Sequence, residues 1–240
     1  MSHRIDLLLV EKGLAPSKEK ARALIMAGEV LANEKVVDKP GTMVREDATI
    51  RLLAKPPFVS RGGIKLAHAL DQFHLDVTSL VVLDVGASTG GFTHCSLNRG
   101  ASRVYAVDVS YGQLDYRLRV DPRVMVMERV NARYPFSLPE AVDLATIDLS
   151  FISLEKVVPN VASLLRQGGK IICLVKPQFE AGRSEVGKGG VVKDSLVHAR
   201  VIGRFISWAI ENGFRIRGLT PSPIAGASGN REFFILLEMD

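Results

Sequence analysis

The pattern of hydrophobic and polar positions divides the chain into two parts. From Arg4 to Leu53, apolar residues form short helical runs and then short strand-like runs. The run 5–10 predicts a helix that Gly13 ends, and Ser17 is a suitable N-cap for a second helix. Short strands are predicted at 30–32, 36–37 and 49–52. This order of elements predicts a small α+β unit.

From residue 80 onward, short continuous apolar runs alternate with helical stretches. Such runs are typical of parallel strands that are buried on both faces. The strands are predicted at 81–85, 104–107, 124–127, 144–147 and 170–175, with further apolar runs at 214–219 and 232–237. The helices are predicted at 92–99, 112–118, 154–165 and 196–211. Repeated strand–helix units predict an α/β fold with a doubly wound sheet and a ligand crevice at the carboxyl ends of its strands.

A structure-breaking run, Lys55-Pro56-Pro57, separates the two parts. We therefore predict a first domain over residues 1–55, a linker over 56–64 and a second domain over 65–240.

Length and composition narrow the class of protein. With 240 residues, of which 47% are hydrophobic, the chain can bury one large core or two modest ones. No apolar run approaches the roughly 20 residues that span a bilayer, and the first residues lack the layout of a signal peptide. Cys95 and Cys173 provide no disulfide framework and are interpreted as buried reduced thiols. We expect a cytoplasmic protein rather than a secreted toxin or an integral membrane protein.

The positive charge is concentrated at the N-terminal end. Residues 1–65 carry 12 Lys+Arg and 8 Asp+Glu, a net charge of +4, whereas residues 66–240 carry 19 and 18, a net charge of +1. A small excess is usually a solvated surface, but it favours a phosphate backbone if the side chains share one face.

A glycine-rich turn follows the strand predicted at 81–85 and leads into a helix. Glycine permits a tight turn and a close approach of the backbone to a ligand. An acidic residue, Asp108, ends the next strand 22 positions after Gly86, a spacing that suits a carboxylate accepting hydrogen bonds from ribose hydroxyls. The candidate cofactor residues are Asp84, Gly86, Ala87, Ser88, Thr89, Gly90, Gly91, Phe92, Asp108 and Asp148.

This turn differs from the dinucleotide fingerprint, which requires glycine where Ser88 stands. Without a pyrophosphate cradle, a nucleoside that carries no phosphate fits better, and S-adenosylmethionine is the commonest such cofactor. The alternative interpretation is a purely structural glycine turn in another α/β protein.

A second glycine-rich stretch, at 182–188, fits the pattern G-x-x-x-x-G-K. The next residue is Gly189, where a phosphate loop needs Ser or Thr to hold magnesium, and a helix does not follow readily. We interpret the stretch as a basic loop near the crevice that serves as a lid or a substrate contact. Glu180 and Arg183 are candidates for that contact.

These residues also carry a family resemblance over nearly the whole chain. Residues 4–52 resemble the S4 RNA-binding module, with Gly13-Leu-Ala, Ser17-Lys-Glu-Lys-Ala-Arg and Gly28-Glu-Val. The remainder is similar to FtsJ-type methyltransferases. The further matching runs begin at Ser60 (SRGGIKL), Ile147 (IDLSFISL), Val175 (VKPQFEAGR), Val186 (VGKGGVV) and Gly229 (GNREF). The combination resembles the TlyA (hemolysin A) family of ribosomal RNA 2′-O-ribose methyltransferases, which implies a Rossmann-like class I methyltransferase sheet behind a small S4 domain.

The resemblance implies a catalytic set of Lys65, Asp148, Lys176 and Glu232. Lys176 would act as the base by analogy, Lys65 and Glu232 would orient it and the hydroxyl, and Asp148 would hold the pair of lysines. The chemistry needs such groups, because a ribose hydroxyl holds its proton tightly and an ammonium stabilises charge developing on its oxygen.

Basic side chains form the candidate RNA contacts, since phosphate contacts mainly position a nucleic acid. They are Arg4, Lys18, Lys20, Arg22, Arg61, Arg183 and Lys188. Ribosomal RNA or a ribosomal subunit is the expected partner, without a membrane. The five histidines show no metal-binding spacing, so no metal is expected.

Three other functions compete with this hypothesis. One is an RNA-binding ribosome assembly factor with little catalysis. Another is a membrane-active hemolysin, which lacks support from a transmembrane run or a long basic amphipathic helix. The third is a base N-methyltransferase, which would carry prolines after the fourth strand where Asp148-Leu-Ser-Phe151 stands. The sequence leaves the target nucleotide, the ribosomal subunit and the oligomeric state open.

Overall fold

The chain forms two compact units in the computed structural model, Met1–Pro57 and Phe58–Asp240. The structure describes residues 2–26, 28–33, 35–52, 57–226 and 228–239, without the side chain of Arg183. The predicted break at Lys55-Pro56 lies outside the described residues. The linker predicted over 56–64 overlaps the second unit, because residues 58–64 belong to that unit and a helix begins at Arg61.

The first unit contains two helices and five short strands among its described residues. The helices are α1 (Ile5–Glu11) and α2 (Lys18–Met26). The strands are β1 (Ser2–Arg4), β2 (Val30–Ala32), β3 (Lys35–Val36), β4 (Met43–Arg45) and β5 (Ile50–Leu52). Strand β2 lies between β3 and β5, and β1 pairs with β4, all antiparallel.

The local sequence explains these helices. Gly13 adopts a left-handed φ of +69° just after α1, and the Ser17 hydroxyl accepts a hydrogen bond from the amide of Lys20 at 3.2 Å. The apolar faces of both helices, with Ile5 and Ile25 fully buried, pack against β2. Strands β1 and β4 were not anticipated, because each has only three residues and neither shows an alternation of apolar and polar positions.

The second unit is built on one sheet. Its strands are β6 (Val81–Val85), β7 (Arg103–Asp108), β8 (Val124–Glu128), β9 (Val142–Ile147), β10 (Leu165–Val175), β11 (Phe214–Pro221) and β12 (Phe233–Met239). Its helices are α3 (Arg61–Gln72), α4 (Gly91–Asn98), α5 (Tyr116–Arg119), α6 (Val158–Ala162), α7 (Pro177–Glu180) and α8 (Ser195–Glu211).

Within the described residues the sheet has seven strands in the order β11-β12-β10-β9-β6-β7-β8. The strands from β6 to β10 pair in parallel, whereas β12 is antiparallel to both of its neighbours. The predicted doubly wound α/β sheet is therefore confirmed as a mixed sheet. Apolar clusters cover both of its faces, which explains why the central strands are continuously hydrophobic.

Three helices differ from the sequence pattern. Helix α3 was not predicted, because Gly62 and Gly63 lower the helix propensity of its sequence. Glycine is needed at position 63, because the Phe58 ring occupies the space of a Cβ there. The helix predicted at 112–118 shrinks to α5, because Gly112 has a φ of +73°. The helix predicted at 154–165 is a 3₁₀ turn (Leu154–Lys156) followed by α6. No helix in the described part of the chain is long and apolar enough to cross a membrane.

Candidate active site

The sheet order brings the predicted site residues to one edge. Strands β6, β7, β9 and β10 are neighbours, so their carboxyl ends lie side by side and carry Gly86, Asp108, Asp148 and Lys176. Strand β12 runs the opposite way, and the residue before it, Glu232, therefore lies at the same edge. The topology thus converts positions spread along the second unit into one crevice.

The glycine turn between β6 and α4 needs its glycines. Gly86 has a φ of +87°, and a Cβ there would collide with the backbone carbonyl of Asp148. Gly90 is the N-cap of α4 with a φ of +93°. The turn is therefore packed directly against the segment that carries Asp148.

The Asp108 carboxylate is fixed at the end of β7 by two backbone amides. Ser88 N–H donates to Oδ2 at 2.8 Å, and Ser110 N–H donates to Oδ1 at 2.7 Å. Each oxygen retains acceptor capacity, because a carboxylate oxygen has two lone pairs. Asp108 therefore presents a preoriented acceptor to the crevice.

Asp84 lies behind the turn rather than in the crevice. Its side chain is fully buried and accepts hydrogen bonds from the hydroxyls of Thr93 at 2.6 Å and Thr146 at 3.2 Å. Burial raises the pKa of Asp84 to about 7, and the charge of Asp148 adds to the increase. This residue joins β6, β9 and α4 beneath the site.

Two adjoining cavities open at this edge. The larger has a volume of about 980 Å³ and extends from Gly86 and Asp108 to Phe151 and Phe179. The smaller, about 210 Å³, lies beside Lys65 and Phe92. Both are lined by Gly86, Ser88 and Asp148. The larger volume is at the upper end of the range for small-molecule sites, roughly 300–1,000 Å³.

The four predicted catalytic residues form two ion pairs. Lys65 Nζ lies 2.5 Å from Glu232 Oε2, with the two side chains 11% and 3% exposed. Lys176 Nζ lies 2.7 Å from Asp148 Oδ1 and donates to the Ser150 hydroxyl at 3.0 Å. Each lysine is therefore paired with its own carboxylate, whereas Asp148 was expected to hold both lysines.

Local packing fixes the first of these pairs. Lys65 projects from α3, whose first residue, Arg61, donates from Nη2 to the carbonyl of Ala225 at 2.9 Å. The Glu232 carboxylate lies against Gly226, and a Cβ at position 226 would collide with it. Helix α3 and the segment before β12 are thus joined by the Arg61–Ala225 hydrogen bond as well as by the Lys65–Glu232 pair.

The remaining basic candidates occupy separate places. In the first unit, Lys18, Lys20 and Arg22 are exposed on α2, whereas Arg4 forms a bidentate ion pair with Asp6. In the second unit, Arg61 is exposed and lines the smaller cavity, and Lys188 is exposed on the glycine-rich loop. The side chain of Arg183 lies outside the described residues.

The glycine-rich loop does not lead into a helix at Gly189, since α8 begins only at Ser195. Its end is anchored by Asn230, which is buried. Asn230 Oδ1 accepts from Val192 N–H at 2.9 Å and its amide donates to the Gly190 carbonyl at 2.8 Å. The loop is therefore connected to the segment that carries Glu232.

Sequence reasoning missed one residue of the site, Phe151, and did not anticipate the burial of another, Glu180. Phe151 is 89% exposed at the mouth of the larger cavity, with a φ of +65° and its ring centroid 4.7 Å from that of Phe179. The feature that could have indicated Phe151 is its position, since it is a bulky apolar residue three positions after Asp148 at the end of a strand. Glu180 was considered only as a loop contact, yet it is buried. Among the described residues, no group of His, Cys, Asp and Glu could hold a metal ion.

The fold and the site define the class of protein. Residues 58–239 match the FtsJ-like methyltransferase family, and residues 3–50 match the S4 domain. A solved S-adenosylmethionine-dependent methyltransferase from Mesorhizobium loti has a TM-score of 0.54 at 16% identity, covering 71% of this chain and 96% of its own, which shows the fold alone. The second unit is a class I methyltransferase fold.

The relatives define the family more closely. YqxC of Bacillus subtilis, provisionally named an rRNA methyltransferase, is 49% identical over 98% of this chain and 85% of its own. The 16S/23S rRNA (cytidine-2′-O)-methyltransferase TlyA of Mycobacterium tuberculosis is 44% identical over 98% and 89%. A solved structure named as a hemolysin from Streptococcus thermophilus has a TM-score of 0.75 at 43% identity, covering 99% and 88%. The chain belongs to the TlyA (hemolysin A) family of methyltransferases.

Proposed function

We propose that this protein transfers a methyl group from S-adenosylmethionine to the 2′-hydroxyl of a cytidine ribose in ribosomal RNA. The observation that carries the proposal is the pair of lysine–carboxylate ion pairs beside the glycine turn. The naming of the M. tuberculosis relative as a 16S/23S rRNA (cytidine-2′-O)-methyltransferase supports the choice of substrate. A ribosomal substrate also implies a cytoplasmic location.

The donor set of the crevice fits this cofactor. The turn residues Gly86 to Gly91 would lie along its amino-acid part, and Asp108 would accept hydrogen bonds from its ribose hydroxyls. A fixed carboxylate at this position favours ribose hydroxyls over a phosphate, because two anions would repel each other. When bound, S-adenosylmethionine supplies a methyl group on a positively charged sulfur, which is already activated for transfer.

Lys176 is the residue we assign to the hydroxyl proton. In its neutral form Nζ would take the hydroxyl proton as the oxygen bonds to the methyl carbon, while the bond from that carbon to sulfur would break and S-adenosylhomocysteine would be the leaving group. Asp148, 2.7 Å away, stabilises the ammonium that results. While the proton is being transferred, the positive charge developing on Nζ would stabilise the partial negative charge on the oxygen.

Lys65 and Glu232 would orient the ribose. Their ion pair is buried, so both side chains have little conformational freedom and Lys65 can hold a hydroxyl in a fixed position. Orientation is a large contribution in such reactions, since well-aligned groups reach effective molarities of roughly 10⁵ M or more.

RNA docking would use basic and aromatic residues other than those of the two lysine–carboxylate pairs. The exposed lysines and arginine of α2 would meet phosphates, with Arg4, Arg61, Arg183 and Lys188 as further contacts. Phe151 offers an exposed aromatic face at the mouth of the cavity, where an unstacked base can stack.

The experiment is methyl transfer from tritiated S-adenosylmethionine to ribosomal subunits from a strain that lacks this protein. We expect alkali-resistant dinucleotide label from the wild type, because a 2′-O-methyl group blocks backbone cleavage, and no label from Lys176→Ala. Lys170→Ala, in the middle of β10 and six residues before Lys176, is the matched control and should retain activity.

Other outcomes would reject the proposal. Alkali-sensitive label would move the chemistry to a base. Full labelling by Lys176→Ala would remove the assigned catalytic set. Absence of label with the cofactor still bound would favour an assembly factor.

A further inference from the structure

Glu180 is a buried acid that the proposed chemistry does not use. It ends α7, four residues after Lys176, and its side chain is 2% exposed. Burial raises the pKa of Glu180, although the Leu154 N–H and the Ser153 hydroxyl oppose the increase as hydrogen-bond donors and Arg204 opposes it by its charge. A carboxyl kept in such a place by several donors points to a specific structural task.

The Glu180 side chain connects the two segments that carry the second ion pair. Its Oε1 accepts from the backbone N–H of Leu154 at 2.8 Å. The segment after β9 starts with Asp148 and ends at a 3₁₀ turn, whose first residue is Leu154. The segment after β10 starts with Lys176 and ends at Glu180 itself. One hydrogen bond therefore links the far ends of both segments.

A third element holds Glu180 from behind. Arg204, on α8, donates from Nη2 to the Glu180 backbone carbonyl at 2.7 Å, and the same nitrogen lies 3.4 Å from Oε2. Arg204 also pairs with Glu155 at 3.4 Å, in the same 3₁₀ turn. The three segments thus meet at one buried carboxylate.

This link matters because the direct pairing of β9 with β10 ends before these positions, although the Asp148 N–H still donates to the Val85 carbonyl at 2.9 Å and Val175 still pairs with Phe233 of β12. The last registered pair between β9 and β10 is Ile147 with Cys173, so Asp148 and Lys176 lie beyond the ladder. The separation of their side chains therefore depends on these outer anchors and on how the two segments are held to each other. Misplacement of a reacting group by about 1 Å can cost on the order of 100-fold in rate.

We propose that Glu180 is a positioning residue that locks the segment after β9 to the segment after β10, and thereby sets the geometry of Asp148 and Lys176 for methyl transfer. This inference rests on the proposed function, which assigns those two residues to the reaction. Glu180 acts through them and does not touch the substrate.

The test compares Glu180→Leu with Glu180→Gln in the full-length protein. Leu removes the acceptor at similar volume, and we expect kcat at saturating RNA and cofactor to fall about 10- to 100-fold. The KM for RNA and the Kd for S-adenosylhomocysteine should change by less than about twofold, because neither ligand contacts Glu180. Gln keeps an oxygen acceptor for Leu154 N–H and should restore kcat to within about threefold of the wild type.

Two further measurements keep the inference falsifiable. If Glu180→Leu does not fold, Arg204→Gln is the second variant. It removes the contacts of the half-exposed Arg204 guanidinium with the carbonyl and carboxylate of Glu180, and it should lower kcat several-fold with unchanged KM. A crystal structure of Glu180→Leu or Arg204→Gln should show a separation of Lys176 Nζ from Asp148 Oδ1 beyond 4 Å, a readout that does not depend on activity.

The inference would be overturned by a wild-type kcat in Glu180→Leu, by a Gln variant as impaired as the Leu variant, or by an unchanged 2.7 Å ion pair. If the wild-type protein methylates no ribosomal RNA, the proposed function fails, and the crystal structures alone decide whether Glu180 positions the pair.

Discussion

Lys65 and Glu232 are separated by 167 residues in the chain and by 2.5 Å in the structure. The pair joins α3, the first helix of the second unit, to the segment before β12, its last strand. An ion pair this buried is stable only when both partners are present, because removing one leaves an uncompensated charge. Substitutions here should therefore affect stability and activity together.

The first prediction concerns this pair. Glu232→Gln should lower the free energy of unfolding of the second unit by about 3 kcal/mol, because the Lys65 ammonium loses its partner. Urea unfolding followed by circular dichroism would measure it. The double variant Lys65→Met, Glu232→Gln should recover part of the loss, and a strictly additive loss would argue against coupling between the two residues.

The second prediction concerns Lys176. Lys176→Ala should lower kcat by about 100-fold or more, the usual contribution of a general base, while the Kd for S-adenosylhomocysteine stays within about threefold. Single-turnover methylation and calorimetry would separate the two quantities. The same loss in the control Lys170→Ala would show that the effect is not specific to the site.

The third prediction concerns Asp108. Asp108→Ala should weaken S-adenosylhomocysteine binding about 10- to 100-fold, because charge-assisted hydrogen bonds contribute roughly 1.5–3 kcal/mol. Asp108→Asn should lie between Ala and the wild type. Asp121→Asn, on the surface away from both cavities, is the control, and calorimetry should find it unchanged. Wild-type affinity in Asp108→Ala would exclude Asp108 from the cofactor site.

The fourth prediction concerns the pH dependence of stability. Burial raises the pKa of Asp84 to about 7, so the folded protein holds a proton that the unfolded chain releases near pH 4. Neutral Asp84 makes its whole contribution to the free energy of unfolding below about pH 4. That contribution declines by up to about 4 kcal/mol as the pH rises to 7. The side chain of the Asp84→Asn variant is neutral at every pH, so the variant serves as the reference. The difference in unfolding free energy between wild type and Asp84→Asn should fall from pH 5 to pH 8, and a constant difference would contradict the assignment.

The fifth prediction concerns the basic face of α2. Replacing Lys18, Lys20 and Arg22 with alanine should weaken RNA binding and reduce the slope of log Kd against log salt by about two to three, since each phosphate contact releases nearly one counterion. The double variant Lys35→Ala, Lys39→Ala provides the comparison. An unchanged slope in the triple variant would remove α2 from the RNA-binding surface.

The residues of the glycine turn were predictable because their signal is local. Gly86 and Asp108 follow apolar strands at a spacing that the fold requires, and the structure brings them to one crevice. The sequence could not show the direction of β12, because its apolar run is the same for either orientation. Nor could it show that Glu180 is buried, since burial there depends on α8, a distant element. The catalytic roles of the four lysine and carboxylate residues stay a prediction.

The close approach between Gly86 and the Asp148 carbonyl has a consequence for inhibitors. A ligand that rests on the backbone of this turn cannot be displaced by adding a side chain at position 86 without also moving Asp148. A substitution that weakens the ligand there would therefore impair the enzyme as well. We expect resistance to such a compound to arise elsewhere in the larger cavity, where side chains can change more freely.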